Sequence, residues 1–293
     1  MKTLITIIIL IAPFLIIAQS EKIDKGKELF EIGKSEYQQK HYDEASIKLK
    51  SAIEFDDTKS DYYLWLGKAY LAKLGQSSFF EKGILSGKVI DNYKKAIKIN
   101  PANVQARIHL ANYYIHAPSI AGGSFKKAKE QTVEINKYSS EQALMLNATI
   151  YSREGNTDLA IEEYKKYLEL NPNDPDAYYQ VGMFYQGLEK FDDATSMFEI
   201  AIKKDDKAYG SLYQIGRTAT FSGENIDRGI NCLKEYIKAN PGSPYPRLDS
   251  AHWRLGMLYE MKGKVKMAKK EYRIAAEINP DESKYKDALE NMS

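Results

Sequence analysis

The chain has 293 residues, with 42 Lys+Arg against 40 Asp+Glu, and its formal net charge of +2 gives no bulk attraction to nucleic acid or to an anionic membrane surface. Hydrophobic residues make up 43% of it, enough for a buried core, while 18 Gly and 9 Pro exclude collagen-like and linker-dominated chains. The single cysteine, Cys232, excludes an intramolecular disulfide and a thiolate-rich zinc site; the unusual component is Tyr, present 22 times.

The first segment has a basic start at Lys2, then apolar runs Ile7–Ala12 and Phe14–Ala18 on either side of Pro13. That layout, closed by the small residue Ala18, predicts a signal peptide over residues 1–18 and an exported chain, periplasmic or secreted in a bacterium. The alternative is an uncleaved anchor, but the apolar span from Leu4 to Ala18 is shorter than the ~20 residues a helix needs to cross the hydrocarbon core.

Beyond it one unit recurs. Small residues stand inside apolar helical patterns at Gly33, Gly67, Ala111, Ala148, Gly182, Gly216 and Gly256. A second series, Ala45, Val89, Ala128, Ala160, Ala194, Gly229 and Ala268, follows the first by twelve or thirteen residues in five copies and by more in two. Each copy therefore predicts a helical hairpin whose helices meet at small side chains and which stacks on its neighbours. Tyr70, Tyr114, Tyr151, Tyr185 and Tyr259 stand three residues after the first small residue, and Leu49, Tyr93, Tyr164, Phe198, Leu233 and Tyr272 four after the second. Pro101, Pro172, Pro241 and Pro280 terminate second helices, and Asp174 with Pro175 reads as an N-cap followed by the first helical residue.

In chain order the predicted hairpins occupy about residues 26–59, 60–103, 104–140, 141–174, 175–208, 209–243 and 249–280. Thr132, Ile135, Asn147 and Ala219 depart from the pattern, and the hairpin from Val104 to Tyr138 is the least regular. Residues 281–293 read as a capping helix, with Tyr285, Leu289 and Met292 on one side and Lys284, Lys286, Asp287 and Glu290 on the other.

On these residues the chain resembles the tetratricopeptide repeat (TPR) family over about residues 26–280. The resemblance implies an all-α, right-handed α-solenoid of about seven hairpins, acting as a non-catalytic scaffold without cofactor. It also implies a concave face lined by positions three before and one after the first small residue of each copy. The candidate groove residues are then Phe30, Leu64, Lys68, Asn112, Met145, Tyr179, Met183, Tyr213, Arg217, Trp253 and Met257. The family's clamp for a carboxylate terminus finds only isolated matches in Lys34, Lys68 and Asn112, and is not expected here. The surface is aromatic and Met-containing toward the C-terminal half, with Arg217 as its central cation. It suits an apolar or amphipathic segment of a protein or peptide partner. Half-burial of the three-before positions between hairpins is the competing expectation.

Two copies are longer than the rest. The extra residues of the second fall within Leu74 to Lys88, including Phe79 and Phe80, and those of the third within Ala117 to Phe125, including Ile120. Both are expected to be loops on one edge and neighbours in space, either packed on each other or forming a partner-binding lobe. A third insertion surrounds Pro244-Tyr245-Pro246.

Catalytic patterns do not assemble. Gly33-Lys34-Ser35 lacks the preceding glycine of a phosphate loop, with Glu28 in its place. His41, His109, His116 and His252 form no compact ligand set, and no Gly-x-Ser-x-Gly elbow is present. Membrane contact is expected only if the N-terminal segment is retained, as in a tethered envelope assembly factor.

Overall fold

A computed structural model describes residues 23–291, apart from the side chains of Phe79 and Phe80. The predicted signal peptide, Met292 and those two phenylalanine side chains lie outside the described residues. Among these the regular structure is entirely helical: α1 (residues 23–38), α2 (Tyr42–Phe55), α3 (Ser60–Leu74), α4 (Phe79–Ile99), α5 (Val104–His116), α6 (Phe125–Asn136), α7 (Ser140–Arg153), α8 (Thr157–Leu170), α9 (Pro175–Gly187), α10 (Phe191–Lys204), α11 (Tyr209–Ser222), α12 (Ile226–Ala239), α13 (Leu248–Met261), α14 (Val265–Ile278) and α15 (Ser283–Glu290). A 3₁₀ turn, Ser119–Ala121, precedes α6.

The fold is an α-solenoid type built from hairpins, each joining a first helix (odd-numbered, α1 to α13) to the even-numbered helix after it. The chain divides into two compact units, one ending at Lys166 and the other beginning at Tyr167, within the second helix of the fourth hairpin. The repeat series by itself carries no mark of that division.

The periodic small residues are where the helices of a hairpin touch. A Cβ at Gly67 would lie 2.6 Å from the Tyr93 ring, at Gly182 2.5 Å from Phe198 and at Gly256 2.5 Å from Tyr272. Those large partners are the residues four after the second small residue, so the two series interlock and fill one another's space. Phe198, Leu233 and Tyr272 lie in the core of the second unit, and Leu49 and Tyr93 in that of the first. The irregular third hairpin closes as well: Ala128, Thr132 and Ile135 of α6 are buried, and the Thr132 hydroxyl finds its acceptor within the helix, at the Lys129 carbonyl. Asn147 reaches Glu163 Oε2 across the fourth hairpin at 3.2 Å.

Helix ends follow local chemistry. The Asp174 side chain accepts from Asp176 N–H at 2.9 Å with Pro175 opening α9, and Asn103 accepts from Ala106 N–H at 2.9 Å to start α5. The α15 segment packs Tyr285 into the second unit, where its hydroxyl donates to Asp249 Oδ2 at 3.2 Å; Lys286 and Asp287 face solvent.

The insertions depart from the expected loops. In the second hairpin the extra residues lengthen a helix: α4 has 21 residues, against 14 in α2, α8, α10, α12 and α14. The reason lies in Ser78 and Glu81, whose carboxylate accepts from the Ser78 N–H at 2.9 Å and from its hydroxyl at 2.8 Å. This capping arrangement starts the helix early. In the third hairpin the extra residues form a tight turn beside α4, since a Cβ at Gly122 would meet Ile90 at 2.8 Å. Lys82 and Ser86 of the first insertion and Ala117, Pro118 and Ala121 of the second line one cleft, so the two insertions are neighbours, but Ile120 is 89% exposed.

Candidate functional site

In the second unit the first helices α9, α11 and α13 contact one another in sequence, which places their side chains on a shared face. Arg217 on α11 and Arg254 on α13 dominate it. Arg217 Nη1 donates to Gln186 Oε1 at 2.9 Å and to Gln214 Oε1 at 3.3 Å. Arg254 donates to the Tyr213 hydroxyl and to Thr220 Oγ1, each at 3.0 Å. All four acceptors are neutral, and among the described residues neither guanidinium forms an ion pair.

The Gln186 side chain is held in turn by donating to Thr218 Oγ1 at 2.7 Å. Both guanidinium carbons lie over the Phe221 ring, at 5.1 Å for Arg217 and 5.4 Å for Arg254. Phe221 itself is 51% exposed. Burial, reinforced by the Arg254 charge, lowers the Arg217 pKa from the ordinary arginine value. Two like charges thus share a partly dry surface with an open aromatic ring, a combination that an incoming carboxylate would relieve.

The other groove candidates of this unit divide. Tyr213 is buried and serves as an acceptor for Arg254, a correction to its assignment as a contact residue. Tyr179, Met183 and Met257 are half-buried at the edge of the core. Trp253 lies 6.1 Å from the Tyr285 ring with Lys284 Nζ 4.9 Å above it, so it seats the α15 segment more than it faces a groove.

In the first unit Leu64 is buried, a second correction, because the position three before Gly67 turns between helices. Phe30 stacks on Tyr62 at 4.6 Å and 27°. Lys68 Nζ sits 3.7 Å from the Trp65 ring centroid, and burial followed by the Lys34 charge lowers its pKa. Met145 and Asn112 are half-buried. Across both units the position one after the small residue is consistently half-exposed, whereas the three-before position is buried at Leu64 and Tyr213.

The residues missed from sequence, Arg254, Gln186, Gln214 and Phe221, occupy other rungs of the first helices. Gln214 and Arg254 both stand two before their small residue, a recurrence that could have flagged them. Burial pushes the Cys232 thiol up to about 12, despite the nearby Arg228 charge, which makes it a packing residue and not a nucleophile. His252 meets Glu271 at 2.7 Å between α13 and α14, a tie within a hairpin. Among the described residues no group of three or more His, Cys, Asp or Glu could hold a metal ion, and no helix is long and apolar enough to cross a membrane.

Comparison with known proteins adds to this geometry. Residues 148–188 match the TPR repeat and residues 249–282 the tetratricopeptide repeat. These two segments are tetratricopeptide repeats. A tetratricopeptide repeat protein from Parabacteroides merdae has the same fold, with a TM-score of 0.56 at 14% identity over 92% of this chain and 99% of that one. The chain is also 26% identical over 160 residues to the probable UDP-N-acetylglucosamine–peptide N-acetylglucosaminyltransferase SPINDLY of Hordeum vulgare, covering 52% of this chain and 17% of that protein. It is 26% identical over 180 residues to BBSome complex member BBS4 of Bos taurus, covering 60% of this chain and 31% of that one. The chain therefore spans less than a third of the length of either relative.

Proposed function

We propose that this tetratricopeptide repeat protein is an exported, non-catalytic scaffold that captures an acidic, aromatic- or aliphatic-containing segment of a protein partner. The observation that carries the reading is the Arg217–Arg254 pair, two guanidiniums fixed by neutral acceptors beside the exposed Phe221 ring. Their side chains are already ordered, so little further entropy is lost when a carboxylate arrives. Stacked helical repeats commonly present such preformed surfaces, and one similar protein is a member of a protein complex. The fold alone carries the argument no further than binding. Export rests on the basic, apolar and small-residue order of residues 1–18.

The test is partner capture from an envelope extract by the wild-type chain and by Arg217→Glu/Arg254→Glu, with circular dichroism to verify folding. The expected result is a set of captured proteins that the charge-reversed variant loses by more than about tenfold, the scale of one or two charge-assisted contacts. Capture that is unchanged by the reversal contradicts the assignment. N-terminal sequencing of the exported chain separates cleavage near Gln19 from a tethered form, the second arrangement open to the segment.

A further inference from the structure

The two lengthened hairpins build one recess. In the first unit a cleft of about 540 Å³ lies between the C-terminal ends of α3 and α5, the early turns of α4 and the turn after α5. That size falls within the roughly 300–1,000 Å³ of small-molecule sites. A repeat of ordinary length would lack two of these walls, since the first turns of α4 and the 117–121 turn are the inserted residues.

The inserted turn is fixed in place. The Tyr113 hydroxyl donates to the Ala121 carbonyl at 2.9 Å, Gly123 N–H to Pro118 O at 3.1 Å and Ser124 N–H to Tyr114 O at 2.9 Å. Gly122 has φ +91°, and a Cβ on Gly123 would fall 1.8 Å from the Ala117 carbonyl oxygen, so the turn requires both glycines. The wall is preformed.

Its lining is apolar through Leu71, Leu74 and Tyr113, and among the described residues it contains no Asp or Glu. Lys82 on α4 contributes a cation without an ion pair among the described residues, and His109, Asn112 and His116 line it from α5. Burial lowers the pKa of both imidazoles, and the next cause is a cation in each case: Lys68 for His109 and Arg153 for His116. Lys82 is thus the cationic side chain of the lining itself.

We propose that this cleft binds a small amphipathic carboxylic acid, its hydrocarbon body against Leu71, Leu74 and Tyr113 and its carboxylate toward Lys82 and the α5 histidines. Four separate segments bound the space, which suits a compact body more than a peptide that must enter and leave. The site is independent of the Arg217–Arg254 face.

Calorimetric titration of the full chain with decanoate, decanol and decyltrimethylammonium tests it. Decanoate is expected to bind one to one, decanol at least about tenfold more weakly for want of the charge-assisted contact, and the cation not at all. Lys82→Glu, which adds a favourable charge to the first turn of α4, is expected to keep helicity and lose decanoate by a similar factor. Ala121→Trp is expected to fill the recess and abolish binding. The proposal is overturned if decanoate fails to bind at millimolar concentration, or binds with no response to either substitution. Preferential binding of a peptide ending in a leucine carboxylate overturns the small-molecule assignment as well.

Discussion

A Cβ at Gly216 would lie 2.3 Å from Leu233 Cγ, inside the second unit's core. Gly216→Ala gains helix propensity of about 1 kcal/mol but overpacks a filled contact at a cost of typically 1–3 kcal/mol. Net destabilisation is expected, read as a lower urea midpoint with unchanged slope. Asp249 gives a pH signature. Burial raises its pKa, but the Asn279 side chain at 2.9 Å, the Ser250 N–H, the Arg247 charge and the Tyr285 hydroxyl together outweigh that and leave it lowered. A carboxyl with a folded value below its unfolded ~3.9 contributes stability that is present above ~3.9 and lost as the pH falls through the folded value. Melting temperature followed from pH 6 downward is therefore expected to fall less steeply at the acid end in Asp249→Asn. An unchanged acid slope would show that the carboxylate contributes nothing there.

At the scale of elements, α4 is the informative one. Gly83 and Gly87 lie within it and a Cβ on either meets nothing within 4 Å. Each glycine costs a helix interior roughly 0.5–1 kcal/mol, so Gly83→Ala and Gly87→Ala are each expected to raise the melting temperature, in contrast to Gly216→Ala. The helical fate of these residues was legible in Ser78 and Glu81, whose spacing is that of a capping box, but repeat length alone points to a loop. Small residues and their large partners recur in independent copies, and so the hairpins could be read directly. The binding face could not, because burial of Leu64 and Tyr213 depends on how adjacent first helices rotate against each other. Arg254 escaped for the same reason: its role follows from Tyr213 and Thr220, which are 41 and 34 residues away in the chain.

At the scale of the whole molecule, the candidate groups are divided between the two units, one on regular repeat positions and one at the insertions. The arginine pair lies in the second unit, and the recess built from insertions lies in the first. A near-neutral chain with a net charge of +2 has no strong overall field, so under the proposed function any selectivity would come from such local groups. The most direct measurement is selection of a random peptide library on the purified chain, with the Arg217→Glu/Arg254→Glu variant as the counter-selection. Enrichment of sequences that place Asp or Glu beside an aromatic or aliphatic residue, lost on the variant, is the predicted result. Enrichment of basic peptides, or of the same peptides on both proteins, would contradict the account.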